Sequence, residues 1–178
     1  VAMTENGWVD ETSVRLRDGA AVQLRRLNDT DIDAVIELHD TLTDRERYLR
    51  FFTMHPTYLK TLAHKLTERN GKGYALGAFE SGTLVGVANY VVSSKPDTAE
   101  VAVVVAHDDH MRGLGTTLLR RLAQIARHNG IRRFVADVLT TNYLMFKLLA
   151  DAGLQPRHLR PSHGVVHLDV DLTGSASY

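Results

Sequence analysis

The segment His110-Met111-Arg112-Gly113-Leu114-Gly115-Thr116 carries the residues best suited to holding a charged ligand. Two glycines one residue apart let backbone approach another group closely. They open the chain's strongest amphipathic pattern, 113–129, with Leu114, Leu118, Leu122 and Ile125 on one face. The first turn of a helix has N–H groups without intrahelical partners and the positive end of the dipole, which suits a pyrophosphate. Arg112 adds a full positive charge. Two other phosphate-binding patterns do not fit. A P-loop needs Lys after its second glycine, and Thr116 follows Gly115. The dinucleotide fingerprint needs Gly or Ala where Leu118 stands. Alone, the glycine pair is equally the mark of a plain strand-to-helix turn with no ligand. The adjoining run His107-Asp108-Asp109-His110 has metal-binding residue types. Four consecutive residues of a turn rarely converge on one ion, so no metal is expected.

The elements around the loop must position it. Residues 99–106 are apolar on both faces, as in a central strand. Phe134-Val135-Ala136-Asp137-Val138 is a further strand beyond the helix, so the loop lies inside a β-α-β unit with a right-handed crossover. Upstream, Ala21-Val22-Gln23-Leu24-Arg25-Arg26 alternates apolar and polar and reads as the first strand. Thr30 and Asp33 form an approximate capping box for a helix with the stripe Ile32, Val35, Ile36, Leu38. Further helices are expected over 45–52 and 58–69. The period then changes to two, with strands over 74–79 and 84–92 around a Ser81-Gly82 turn. A helix from Asn142 ends at Gly153, and two last strands, 156–160 and 165–172, flank Pro161-Ser162-His163-Gly164. The pattern implies one α+β domain over 1–178, with a mixed, mostly antiparallel sheet of six to seven strands and flexible tails at 1–12 and 173–178.

Composition narrows the partners. Lys+Arg and Asp+Glu balance at 21 each in 178 residues, so neither nucleic acid nor an anionic membrane is expected. There is no cysteine, which excludes disulfides and a Cys-acyl intermediate and fits a reducing, cytoplasmic compartment. The first ten residues carry acidic and polar groups and no continuous apolar core, unlike a signal peptide.

Taken together, the strand, the loop, the helix after it and Asn142 opening the next helix resemble the GNAT superfamily of acyl-CoA-dependent N-acetyltransferases over residues 20–172. The coenzyme loop of that family is Gln/Arg-x-x-Gly-x-Gly/Ala, with His110 here in the first position. The chain is similar in particular to bacterial, chiefly actinobacterial, protein-lysine acetyltransferases that act on acyl-CoA synthetases. Tyr48-Leu49-Arg50-Phe51-Phe52, Ala99-Glu100-Val101-Ala102-Val103-Val104-Val105 and Leu139-Thr140-Thr141-Asn142 carry that similarity, with Gly164-Val165-Val166.

The resemblance implies a three-layer GNAT-like fold, acetyl-CoA as co-substrate and Glu100 as catalytic base. It implies that Val103, Val104 and Val105 offer main-chain groups to the pantetheine between splayed strands. A backbone N–H near Val103 would hold the oxyanion. His110, Met111, Arg112, Gly113, Leu114, Gly115, Thr116 and Asn142 would complete the coenzyme site. Many members carry a tyrosine general acid seven residues after this Asn; Leu149 occupies that position. The expected function is acetylation of protein lysines, with an acyl-CoA synthetase as substrate. The alternatives are N-acetylation of a small amine, or a non-catalytic acyl-CoA sensor. Residues 27–70 and the last hairpin are expected to form the acceptor groove.

Overall fold

The computed structural model describes residues 11–46, 59–109 and 112–174. Along the chain run β1 (Glu11–Arg15), β2 (Ala21–Arg26), α1 (Ile32–Asp40), α2 (Leu59–Thr67), β3 (Gly73–Glu80), β4 (Thr83–Val92) and β5 (Thr98–Val105). Then follow α3 (Leu114–His128), β6 (Arg133–Leu139), α4 (Tyr143–Asp151), β7 (Pro156–Ser162) and β8 (Val165–Asp171). The strands form one sheet in the order β1-β2-β3-β4-β5-β6-β8-β7, antiparallel throughout except where β5 meets β6.

This is the expected α+β fold with one more strand than the upper expectation. The addition is β1, which pairs with β2 through a hairpin closed at Asp18-Gly19, where Gly19 has φ 84°. β1 takes Glu11 and Thr12 out of the expected tail. At the other end, the amide of Thr173 bonds Asp171 Oδ1 at 2.7 Å. The capping box also lies elsewhere than expected. Asn28 accepts from Thr30 N, and Asp31 accepts from the Asn28 amide at 2.8 Å, so the pair is Asn28 and Asp31 rather than Thr30 and Asp33. Asp31 is held as well by Arg25 at 2.8 Å, a tertiary partner from β2. The helix expected over 45–52 falls largely outside the described residues.

Side-chain alternation divides the core between the two faces of the sheet. On one face α3 and α4 bury Leu118, Leu119, Leu122, Met145 and Leu149 against Leu76, Ala88, Val101 and Phe134. Leu118, Leu119 and Leu122 are fully buried, and each contributes about 1.5–3 kcal/mol relative to an exposed leucine. On the other face α1 and α2 pack Val35, Leu38, Ala63 and Leu66 against Ala75, Phe79, Val87 and Val104.

The β5–β6 junction sets up the site. The two strands pair in parallel only through Thr98, Ala99 and Glu100. Beyond that, β5 stays bonded to β4 as far as Val105, opposite Gly86, and β6 stays bonded to β8 as far as Leu139, opposite Val165. Each strand is held on its outer side while the inner edges part. The divergence is therefore built into the sheet and is not a frayed end. Gly86 lets α3 close over β4, since a Cβ there would stand 2.9 Å from Leu118 Cδ1.

Candidate active site

Gly113 caps α3 in the left-handed region, φ 82° and ψ 8°. An L side chain avoids that conformation, so glycine is required for the chain to turn from the loop into the helix. The first intrahelical bond runs from Thr117 N to Gly113 O at 3.0 Å. The amides of Leu114, Gly115 and Thr116 precede it and have no partner within the helix. Gly115 has a different reason to be glycine: a Cβ there would stand 2.9 and 3.1 Å from the methyls of Leu148 on α4.

These amides open on a cleft of about 510 Å³ lined by Val105 from β5, the first turn of α3, and Leu144, Lys147 and Leu148 from α4. Leu144, part of that lining at the start of α4, is 40 % exposed, and Tyr143 before it is 74 % exposed. The cleft thus joins the helix-start amides to a largely apolar wall, with Arg17, Asp109 and Asp151 also in its lining. Such a site suits an extended ligand with an anionic head.

Arg112 does not aim its charge at that cleft. Its guanidinium bonds Glu80 at 2.6 and 3.2 Å, Asp18 at 2.7 Å and also Asp109. Glu80, then Asp18 and Asp109, hold it protonated beyond its already high range. In return the Arg112 guanidinium holds the Asp18 carboxyl below the usual carboxylate range. The side chain ties the β1–β2 hairpin and the β3–β4 turn to the loop. The cation beside the helix start is instead Arg17: a Cβ on Gly113 would lie 3.2 Å from its Nε. With Arg15 and Arg120 it lines an adjoining depression next to Thr116 and Thr117. Arg17 was not legible as a site residue in the sequence. The one available signal was the Asp18-Gly19 turn, which marks a hairpin and places the preceding residues beside whatever the hairpin packs on.

Glu100 is exposed and occupies the last β5–β6 pairing position, opposite Val135 on one side and Val91 on the other. Ala99 and Val101 belong to the core under α3, so Glu100 faces the α1–α2 side, as does Val104. Val103 and Val105 are half-buried on the α3 side, and the edge of β5 from Val101 onward has no β6 partner. Asn142 caps α4, its side chain accepting from Met145 N at 3.2 Å. Leu149 is core at 2 % exposure. His110 and Met111 lie outside the described residues, as do Tyr48, Arg50 and Phe51. Among the described residues no three His, Asp or Glu side chains gather as a metal site, and no helix is long and apolar enough to cross a membrane.

The profile of the Acetyltransferase (GNAT) family matches residues 36–153. The chain belongs to the GNAT acetyltransferase family. The GNAT domain of PAT from S. lividans superposes with a TM-score of 0.80 at 30 % identity, over 90 % of this chain and 96 % of that one. The acetyltransferase Pat of Mycolicibacterium smegmatis is 29 % identical over 170 residues, 93 % of this chain. The chain spans about half of that relative, 50 % of its length. An acetyltransferase of Pseudomonas aeruginosa is 26 % identical over 157 residues, covering 85 % of this chain and 82 % of that protein. In this GNAT acetyltransferase the family match runs through α2, the diverging strands, the glycine loop and α4.

Proposed function

We propose that the chain transfers an acetyl group from acetyl-CoA to a lysine side chain of a protein, an acyl-CoA synthetase by chemical class, with Glu100 as general base. The observation that carries this reading is the parting of β5 and β6 immediately after Glu100, with the first turn of α3 opening at the far end. A pantetheine laid along the edge of β5 that parts from β6 would meet main-chain groups of Val103, Val104 and Val105. The free amides of Leu114, Gly115 and Thr116 would then meet the pyrophosphate, with Arg17 supplying the cation and the backbone of Arg112 and Gly113 shaping the turn. The contributions of His110, Met111 and Asn142 stay part of this proposal. The protein-lysine acceptor is supported by the sequence segments around Glu100 and Asn142 and is in keeping with the likeness to two Pat proteins.

A lysine ammonium, with an ordinary pKa near about 10.4, must lose a proton before it can attack. Glu100, exposed at the mouth of the divergence, takes that proton directly or through water. The nitrogen lone pair adds to the thioester carbon, and a backbone N–H near Val103 holds the resulting oxyanion. The C–S bond then breaks and sulfur leaves as the coenzyme thiolate. The second proton of the amine ends on that thiolate through solvent, since Leu149 offers no donor.

The test is incubation with radiolabelled acetyl-CoA and either a panel of acyl-CoA synthetases or a panel of small amines. Label on a synthetase lysine, reduced about 10²–10⁴-fold by Glu100→Gln with unchanged acetyl-CoA affinity, is the expected result. Label confined to small amines removes the protein acceptor. Unchanged turnover in Glu100→Gln removes the base.

A further inference from the structure

Asn89 interrupts the apolar run of β4, and its burial is unexplained by the fold. It is 8 % exposed, and its side-chain oxygen has no hydrogen-bond partner. A buried acceptor left unsatisfied costs about 1–3 kcal/mol, so its presence calls for a donor. Its neighbours Ala88 and Tyr90 belong to the core under α3, while Val87 belongs to the opposite core. Asn89 therefore faces the α1–α2 side, the side that Glu100 faces. In the β4–β5 register Asn89 stands opposite Ala102 and Val91 opposite Glu100. Asn89 and Glu100 are diagonal neighbours, about 7–8 Å apart by the geometry of such pairs and within reach of one small group between them.

Asn89 lines an open pocket of about 790 Å³ between α2 and the β3–β4 surface. Leu62 and Leu66 of α2, Ala75 of β3 and Val91 of β4 supply apolar walls, and Glu68 stands with two lysines at the rim. Val91 is 53 % exposed beside it, a large apolar side chain that the protein itself leaves uncovered.

We propose that this pocket seats the acceptor, a primary amine on an unbranched apolar stem, with Asn89 Oδ1 accepting a hydrogen bond from the amine. The apolar walls take the methylenes and the amide oxygen takes one N–H. The nitrogen is thereby turned toward Glu100 and the start of the strand divergence. The unpartnered oxygen only accepts, so the group it suits is an N–H donor. The inference rests on the acyl-transfer reading above and adds to it the path by which the amine arrives. Asn89 is a positioning residue on this account, since Glu100 takes the proton.

Three variants test it: Asn89→Leu, Asn89→Asp and Val91→Trp. They are assayed with the synthetase that the wild-type chain labels most strongly or, if small amines alone are labelled, with the best of those. Asn89→Leu is expected to raise the acceptor KM at least about tenfold, the worth of one hydrogen bond to a charged group. Its acetyl-CoA affinity and melting temperature should hold, because the lost oxygen had no partner in the fold. Asn89→Asp keeps an acceptor there and should keep the acceptor KM near wild type, at a cost in melting temperature from the buried charge. Val91→Trp narrows the mouth from an exposed position and should raise the same KM, which decides the matter if Asn89→Leu does not fold. In a second readout, the Asn89 side-chain amide signals should shift on titration of the CoA-bound protein with Nα-acetyl-lysine methylamide. Acceptor KM values within twofold of wild type in both Asn89→Leu and Val91→Trp, with no shift, overturn the pocket and leave Glu100 and the coenzyme cleft untouched. A wild-type chain that labels no amine at all overturns the transfer reading itself, and this pocket with it.

Discussion

Gly115→Ala isolates what the second loop glycine does. The added methyl would stand 2.9 Å from Leu148 Cδ2 and 3.1 Å from Cδ1, where unstrained carbon contacts lie near 3.5–4.0 Å. Leu148 is half-buried and carries the two methyls at its flexible end, so it can rotate at a cost. Overpacking of this kind costs about 1–3 kcal/mol. Against it stands the higher helix propensity of alanine, worth up to about 1 kcal/mol. The net loss is then between about zero and 2 kcal/mol, a fall in melting temperature of up to about 8 °C for a chain of this size. Leu148→Ala alone loses packing, but in the double variant the clash is gone. The two substitutions should therefore couple by about 1–3 kcal/mol, the double variant being more stable than the sum of the singles. Chemical denaturation of the four proteins measures the coupling, and calorimetric titration with acetyl-CoA measures the cleft. The single variant should bind about tenfold more weakly, because both the methyl and the displaced Leu148 enter the space the ligand needs, and Leu148→Ala should recover much of the loss. Additivity within about 0.5 kcal/mol would refute the steric reasoning. Undiminished affinity in the single variant would show that Leu148 gives way without entering the ligand's space, in line with the alanine that the family's loop also takes at this position.

Arg112→Met should leave Asp18, Glu80 and Asp109 facing one another without a cation. In the parent chain Asp18 is held below its ordinary range, so its contribution is present at neutral pH and lost as pH falls through that lowered value. The stability gap between parent and variant should thus be widest near neutrality and close in acid; a pH-independent gap in denaturation midpoints counts against this account. Asp31 carries the same sign, its carboxyl lowered chiefly by the Arg25 guanidinium and also by the Asn28 amide. Asp31→Asn should cost stability above the unfolded carboxylate range and little below it, so a gap between thermal melts of the two proteins that does not shrink as pH falls would contradict the pairing. Arg17→Ala should weaken acetyl-CoA binding several-fold and flatten its salt dependence, whereas a salt profile identical to that of the parent would take Arg17 out of the site.

The local grammar of the chain was readable without coordinates. Gly113 and Gly115 followed by the leucine stripe announced α3 and its glycine start. Asn142 announced the cap of α4, and the change of period after Asn70 located β3 and β4 to within two residues. These features depend on neighbours a few positions apart, which a single sequence displays directly. The capping box slipped because Asp31 is recruited by Arg25 on β2, a contact that no local pattern encodes. β1 escaped because its alternation is polar and edge-like, and only pairing with β2 makes it a strand.

The site divides the same way. Sequence by itself determined that a glycine-opened helix follows a buried strand, and that a carboxylate, Glu100, lies upstream on that strand. Only the tertiary structure decided which cation stands at the helix start. Arg112, adjacent to the glycines, spends its guanidinium on three carboxylates, while Arg17, almost a hundred positions earlier, stands against Gly113. It likewise decided that Asn89 and Glu100 share a face, because strand register and pleat set the side of the sheet a residue meets. Those relations come from hydrogen bonds between distant strands, and nothing in the neighbouring residues specifies them.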